Sequence, residues 1–336
     1  MTTNNSNEKN FLTYNQQMRK LRDDKQIICN GSIHKRTLVR AGYFNLINGY
    51  KNPFISGVDT NGNHIYIPNT SIDQILSVKL FDESLRSFLL KYITQVEEEV
   101  RTLTGYKFDD CNDGGKIPWY DTAAFSSKSS LQQKMGTISK AYTELSRSKL
   151  EYVEFYKNNH SKIPTWIMLK VVNFSTFINV LAYSKTSVKH SICELYGLTQ
   201  TRNSKTFPNV KLLIGSLHWM RKIRNACAHN ERIYCLSRPK GRILETYLRQ
   251  LRRTYSRNKD QKLFDLIVYF KYYLPHKEYQ SFISELKSMI FALKSDIDPI
   301  AFDNIRGQMG IVNLSDLDTL VALSKDDIEY NKFDKK

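Results

Sequence analysis

Arg224 and His229 have the residue types and the spacing to hold a phosphate and move a proton. Four residues separate them in Leu217-His-Trp-Met-Arg-Lys-Ile-Arg-Asn-Ala-Cys-Ala-His-Asn-Glu-Arg-Ile-Tyr-Cys235, and Asn225 directly follows the arginine. Cleaving RNA without a metal requires that a 2′-hydroxyl lose its proton, that a pentavalent phosphorane be stabilised and that the departing 5′-oxygen gain a proton. An imidazole titrates near neutrality and gives or takes that proton, and a guanidinium holds two phosphate oxygens at once. Asn225 is a short polar side chain of the kind that orients an imidazole. At about 100° per residue, Asn225 and His229 lie about 40° apart on a helix, whereas Arg224 and His229 are about 140° apart. Arg224 therefore joins the other two only through a distorted helix or a site completed across a partner. The spacing by itself is weak, because Arg and His scattered over 336 residues give roughly one Arg-x(4–6)-His match by chance. For His229 alone, a capping or packing histidine at a helix end is the competing explanation.

The elements that would position these groups are helical. Apolar residues return every three or four positions from Ser71 to about Tyr106, through Ile72, Ile75, Leu76, Val78, Leu80, Phe81, Leu85, Phe88, Leu89, Tyr92, Ile93, Val96, Val100 and Leu103. This stripe predicts one long amphipathic helix with room for a single break. Further helices are predicted at about 11–27, 32–42, 129–147, 164–184, 187–196, 208–231, 243–256, 260–274 and 276–294. The stretch 51–69, with Pro53, Gly57, Gly62 and Pro68 around Ile65-Tyr-Ile67, reads as a loop carrying a hairpin, and 109–118 as a second loop. Strand signals are sparse, so the fold class is all-α. The expected division is a basic, aromatic N-terminal module over 1–70, a helical bundle over 71–257 and a C-terminal helical extension with an acidic tail over 258–336. The basic stretch Arg249–Lys259 would be the joint or an exposed helix end.

Charge says where a partner would bind. Lys and Arg number 50 against 33 Asp and Glu, a net charge of +17. From Thr201 to Asp260 there are fifteen Lys/Arg and three acids, a difference of +12, while the residues after Ser295 hold nine acids and five Lys/Arg. So uneven a distribution localises a polyanion-binding surface, either nucleic acid or an anionic membrane, rather than a diffuse solubilising charge. The composition, 41% hydrophobic with 14 Gly and 8 Pro, is globular. No apolar stretch reaches the roughly 18 residues of a membrane span, and the polar N-terminus lacks a secretory signal. Five scattered cysteines, with no Cys-x-x-Cys pair, form neither a disulfide framework nor a structural zinc site. The expectation is a cytoplasmic protein with no metal and no small-molecule cofactor.

Trp219-Met-Arg-Lys-Ile-Arg-Asn-Ala-Cys-Ala-His-Asn-Glu-Arg-Ile-Tyr234 resembles the C-terminal signature of the abortive-infection AbiD/AbiF-like family of the HEPN superfamily, which ends a helix in Arg-Asn-x-x-x-His followed by an Arg. Three further blocks agree in order. Leu38-Val-Arg-Ala-Gly-Tyr-Phe-Asn-Leu-Ile-Asn-Gly-Tyr-Lys-Asn-Pro-Phe54 resembles the Tyr-rich N-terminal block, Phe81–Arg86 through Ile93–Arg101 the Asp-x-x-Leu-Arg helix, and Pro164-Thr-Trp-Ile-Met-Leu169 the Trp-containing segment. Together they cover about residues 10–235; residues beyond about 240 lie outside the resemblance. It implies a HEPN-type helical bundle, metal-independent endoribonuclease activity, and service in bacterial phage defence as a toxin that halts the infected cell. Arg224, Asn225 and His229 fall on the family's catalytic positions, and Arg232 on a neighbouring basic one. Glu97 falls near the family's acid, in a register shared with Glu98 and Glu99. HEPN ribonucleases build one site from two motifs; this chain has a single Arg-x(4–6)-His, so the resemblance implies a homodimer. The AbiF branch adds control by RNA.

Around the motif, Arg221, Lys222, Arg232, Arg238 and Lys240 are the expected RNA contacts. Arg36, Arg40 and Tyr43 form a second, weaker patch, in which Tyr43, Phe44, Tyr50 and Phe54 either stack bases or build a small core. Cys227 is expected to pack inward, the aromatic run Val268–Leu274 to serve as core or dimer packing, and His218 and His276 to be structural. Two functions remain: an endoribonuclease toxin, with RNA as substrate and as a restraining antitoxin, and a non-catalytic RNA-binding regulatory protein using the same basic groove.

Overall fold

A computed structural model describes residues 11–243, 245–251 and 259–333, and helices dominate them. Apart from isolated bridges, the β structure among the described residues is confined to two antiparallel ribbons, Ile55–Val58 with His64–Tyr66 and Thr199–Arg202 with Lys205–Pro208. The fold is all-α, and none of its described helices is long and apolar enough to cross a membrane. Much of the basic stretch Arg249–Lys259, from Arg252 to Asn258, lies outside the described residues. The chain divides into two compact units, Met1–Leu85 with Glu285–Met309, and Arg86–Ser284 with Gly310–Lys336.

In the first unit the helix expected over 11–27 is a short helix, Tyr14–Arg19, opened by a Thr13–Gln16 capping box and continued by a single π turn, Lys20–Asp24. Gln26 then takes a positive φ of 53°, and Ile27 donates its N–H to the Leu21 carbonyl at 2.8 Å, which ends the helix. Helix Gly31–Ala41 stops at Gly42, whose φ of 75° suits glycine. His34 from that helix is structural: its Nδ1 accepts the Asn30 N–H at 2.7 Å and its Nε2 donates to Asp73 at 2.9 Å. Of the aromatic cluster, Tyr50 and Phe54 are buried and Phe44 is exposed. Tyr50 donates to buried Asp82 at 3.0 Å. Helix Pro299–Met309 closes this unit, with Asn304 donating to the Pro53 carbonyl at 2.8 Å.

In the second unit the stripe on helix Ile72–Asp110, which is unbroken, packs Phe88 and Tyr92 on Phe282, each with ring centroids 4.9 Å apart. Helix Leu263–Tyr273 is buried on every side, as expected for a helix apolar around its whole circumference; the run Val268–Leu274 is core. The single helix expected over 164–184 is two, Thr165–Val171 and Phe174–Tyr183, because Asn173 turns out of the helix and caps the second one through the Thr176 N–H at 2.9 Å. Helix Glu151–Asn159 had no predicted counterpart; its polar sequence shows only a weak stripe.

The motif lies on helix Val210–Ala228, started by Asn209 accepting from the Leu212 N–H at 3.1 Å. Its buried face, including Leu213, Leu217, Trp219, Met220 and Ile223, gives each large side chain about 1.5–3 kcal/mol of burial. Polar pins fix its rotation: Trp219 donates to the Lys262 carbonyl at 3.2 Å and Ser216 pairs with the Tyr273 hydroxyl at 2.7 Å. Beyond the motif, Arg242 and Asp265 form a buried two-pronged ion pair at 2.9 and 3.2 Å. Glu245 accepts the Tyr247 N–H at 2.8 Å and the Tyr272 hydroxyl at 2.6 Å.

Burial pushes the Glu245 carboxyl up to about 7. Its folded value lies above the unfolded value of about 4.3, so the stability it contributes is complete below about pH 4.3 and is lost as pH rises through about 7. The melting temperature of the wild type is therefore expected to fall, relative to that of Glu245→Gln, between about pH 5 and about pH 8. Thermal unfolding followed by circular dichroism across that range checks the difference.

Candidate active site

The motif helix is regular to Ala228 and closes in a way that presents His229. Glu231 donates its N–H to the Ala226 carbonyl at 2.9 Å, and Asn230 donates to Cys227 at 3.3 Å; this is a Schellman closure, with Asn230 in the left-handed region at φ 54°. His229 is the capping residue, its N–H still bonded to the Asn225 carbonyl at 3.0 Å. Its imidazole is exposed, as is the Asn225 side chain. Two anchors hold the chain just past this end. Buried Arg86 of the long helix donates to the Glu231 carbonyl at 3.3 Å, and Ile233 and Tyr234 are fully buried.

Arg224 points to a different neighbour. Its Nε lies 3.9 Å from the Glu97 carboxylate on the long helix, with its side chain 41% exposed. Glu97 is itself buried and bonded by both Nε (3.1 Å) and Nη2 (2.5 Å) of Arg101. Arg101 also donates to the carbonyls of Leu169 and Val172, the latter at 2.8 Å, and lies 4.9 Å from the Phe177 ring. Burial works against the charged form of Arg101 and lowers its pKa, and the Glu97 carboxylate opposes that shift. Of the three consecutive glutamates, Glu97 faces the arginines, Glu98 is exposed, and Glu99 accepts from the hydroxyls of Tyr196 at 2.6 Å and Tyr330 at 2.8 Å. Asn225 and His229 thus share one face of the helix and Arg224 occupies another. Among the described residues no hydrogen bond joins the side chains of the three.

Asn225 opens onto a cleft of about 570 Å³ whose lining includes His218, Arg221, Lys222, Glu231 and Arg238. The cleft brings together three of the five expected RNA-contacting residues around the motif. Lys222 donates to the Ser237 carbonyl at 2.9 Å and lies 5.5 Å from the Trp219 ring. Arg238 is carried on a strand-like bridge, exchanging backbone bonds of 2.9 Å with Gln261. Gly241 lies against the stem of Arg238, where a Cβ would come within 2.8 Å of Cγ and Cδ. Arg232 is half-buried; Lys240 is exposed and its backbone N–H donates to Asp260 at 3.3 Å. Arg36 and Arg40 are exposed on helix Gly31–Ala41 of the other unit, near half-buried Tyr43, whose hydroxyl burial pushes up to about 12. Cys227 is buried, as expected. His218 was expected to be structural, yet it lines the cleft. The signal for it lay in its spacing from the motif, since 218, 221, 222, 225 and 229 recur at helical intervals on one face.

Residues 36–235 match the family model described as Abi-like protein, a span running from the Tyr-rich block through the motif. No curated protein and no solved structure matches the chain.

This geometry carries two expected outcomes. Asn230→Gly is expected to leave stability unchanged within about 0.5 kcal/mol, whereas Asn230→Val costs about 1–2 kcal/mol, because a branched side chain resists the left-handed conformation; urea unfolding measures both. Glu97→Gln strands the buried Arg101 charge and is expected to cost about 3 kcal/mol in the same assay.

Proposed function

The chain belongs to the Abi-like protein family, a family of abortive infection, and from that premise we propose that it is an endoribonuclease toxin of the HEPN type. His229 exchanges the proton with the 2′-hydroxyl or the 5′-oxygen, Arg224 stabilises the phosphorane, and Asn225 orients the imidazole. The chemistry is carried by an imidazole and a guanidinium and calls for no metal. The observation that carries this reading is the helix end itself: the closure at Asn230 holds His229 exposed beside a cleft lined by Arg221, Lys222 and Arg238. Because Arg224 lies on another face of the same helix, the complete site is a shared one, in which the motifs of two copies of the chain meet. RNA is both the substrate and, bound along the same basic surface, the restraining antitoxin, and the protein acts in the cytoplasm.

The separation of Arg224 from His229 within one chain favours a second reading, a non-catalytic HEPN protein that binds regulatory RNA through the same groove. The two part on a substitution. His229→Ala and Arg224→Ala are each expected to lower RNA cleavage by on the order of 10²–10⁴-fold with RNA binding retained, and to abolish toxicity on expression. Light scattering is expected to give twice the 39.3 kDa of one chain. Unchanged toxicity of His229→Ala rejects the ribonuclease reading, and full activity of a monomer rejects the shared site.

A further inference from the structure

We infer that the cleft lined by His218, Arg221, Lys222 and Arg238 is a phosphodiester subsite that seats the RNA backbone beside the bond being cut; the inference rests on the ribonuclease reading above. The first ground is geometric. His218, Arg221, Lys222, Asn225 and His229 recur along one face of the motif helix, and at about 1.5 Å of rise per residue Arg221 stands about 12 Å along the axis from His229. That separation suits a phosphate further along the strand rather than the scissile phosphate itself.

The second ground is an unmet polar group. Arg221 Nε is buried and has no hydrogen-bond partner. It sits in a cleft where Arg221, Lys222 and Arg238 face a single carboxylate, Glu231. A buried guanidinium N–H without an acceptor is costly, and a phosphate oxygen entering the cleft relieves that cost with a charge-assisted bond. The third ground is that the positive groups are held in place. Lys222 is tied to Ser237, and Arg238 stands on its bridge to Gln261 with its stem against Gly241. The cations therefore stay gathered without a ligand, which reduces the ordering that binding must supply. His218 adds the fourth side. Burial, Arg221 and Arg238 lower its pKa, so near neutral pH it is an uncharged imidazole that donates one hydrogen bond to a phosphate oxygen. With Lys222 and Glu231 these are the charged groups facing it across the cleft.

The test reads binding on an RNA that cannot be cut, a fluorescein-labelled 2′-O-methyl oligouridine, by anisotropy across a salt series with the full chain. Arg221→Gln and Arg238→Gln are each expected to weaken binding several-fold and to make the slope of log affinity against log salt shallower by about 0.7, the loss of one phosphate contact. Arg221→Lys and Arg238→Lys keep the slope. Arg147→Gln removes the same charge from an exposed helix end and leaves the slope unaltered. By proton NMR the His218 imidazole is expected to titrate at higher pH once the RNA is bound. Wild-type slopes in both Gln variants, an equal loss in Arg147→Gln, or an unmoved His218 titration overturns the subsite. So does a loss of affinity for uridine triphosphate with RNA binding unchanged, which would assign the cleft to a free nucleotide. A wild type that binds with the expected slope but never cuts cleavable RNA leaves the subsite standing and removes the ribonuclease reading. Cleavage with unaltered slopes does the reverse.

Discussion

The buried carboxylate of Glu97 is the interaction on which the site depends. One oxygen is clasped by Arg101, which in turn donates to the Leu169 and Val172 carbonyls at the end of helix Thr165–Val171, and the other lies 3.9 Å from Arg224. A single acid thus ties three segments of the second unit together: the long helix, the turn before Asn173 and the motif helix. At low exposure Glu97 and Arg101 are useful only while both charges are present, because removing one leaves the other uncompensated away from water. The same arrangement sets the orientation of Arg224. The attraction of Glu97 draws it to a face of the motif helix other than the one shared by Asn225 and His229.

The remainder of the region gathers charge of one sign and holds it still. The Schellman closure stops the helix at the histidine, Arg86 and the buried Ile233 and Tyr234 hold the exit, and the Arg242–Asp265 pair returns the following segment to the bundle. Between these anchors the basic residues have few acids to neutralise them. A cleft in which Arg221, Lys222 and Arg238 outnumber the carboxylate of Glu231 between low-dielectric walls concentrates a positive potential at its mouth.

Much of this was legible because it rests on periodicity. The long stripe, the aromatic run Val268–Leu274 and the motif helix all carry repeats that a chain cannot satisfy except by burying one face or, for the aromatic run, every face. Other features rest on single side chains competing with the backbone. Asn173 breaks a continuous apolar pattern by capping, and Asn230 ends a helix where glycine is the usual residue, so neither announces itself in a hydropathy pattern. Three adjacent glutamates differ by about 100° on the helix, and the sequence does not say which faces the arginines; the rotation imposed by the whole stripe selects Glu97. The place of His218 in the cleft was not legible, because Arg238, which lines the cleft with it, comes from a loop whose path no local rule supplies. The compact units themselves are each made of two separated stretches, an arrangement invisible to a search for consecutive boundaries.

Gly241 shows what kind of information the charge count leaves out. The stem of Arg238 lies where a side chain on residue 241 would have to be, so this cation of the cleft is aimed by the absence of a methyl group. Two chains with identical net charge, identical motifs and identical lining residues would differ in the direction of their field if one carried alanine there. Among related sequences, that position therefore separates chains that keep the shape of this surface from chains that keep only its composition.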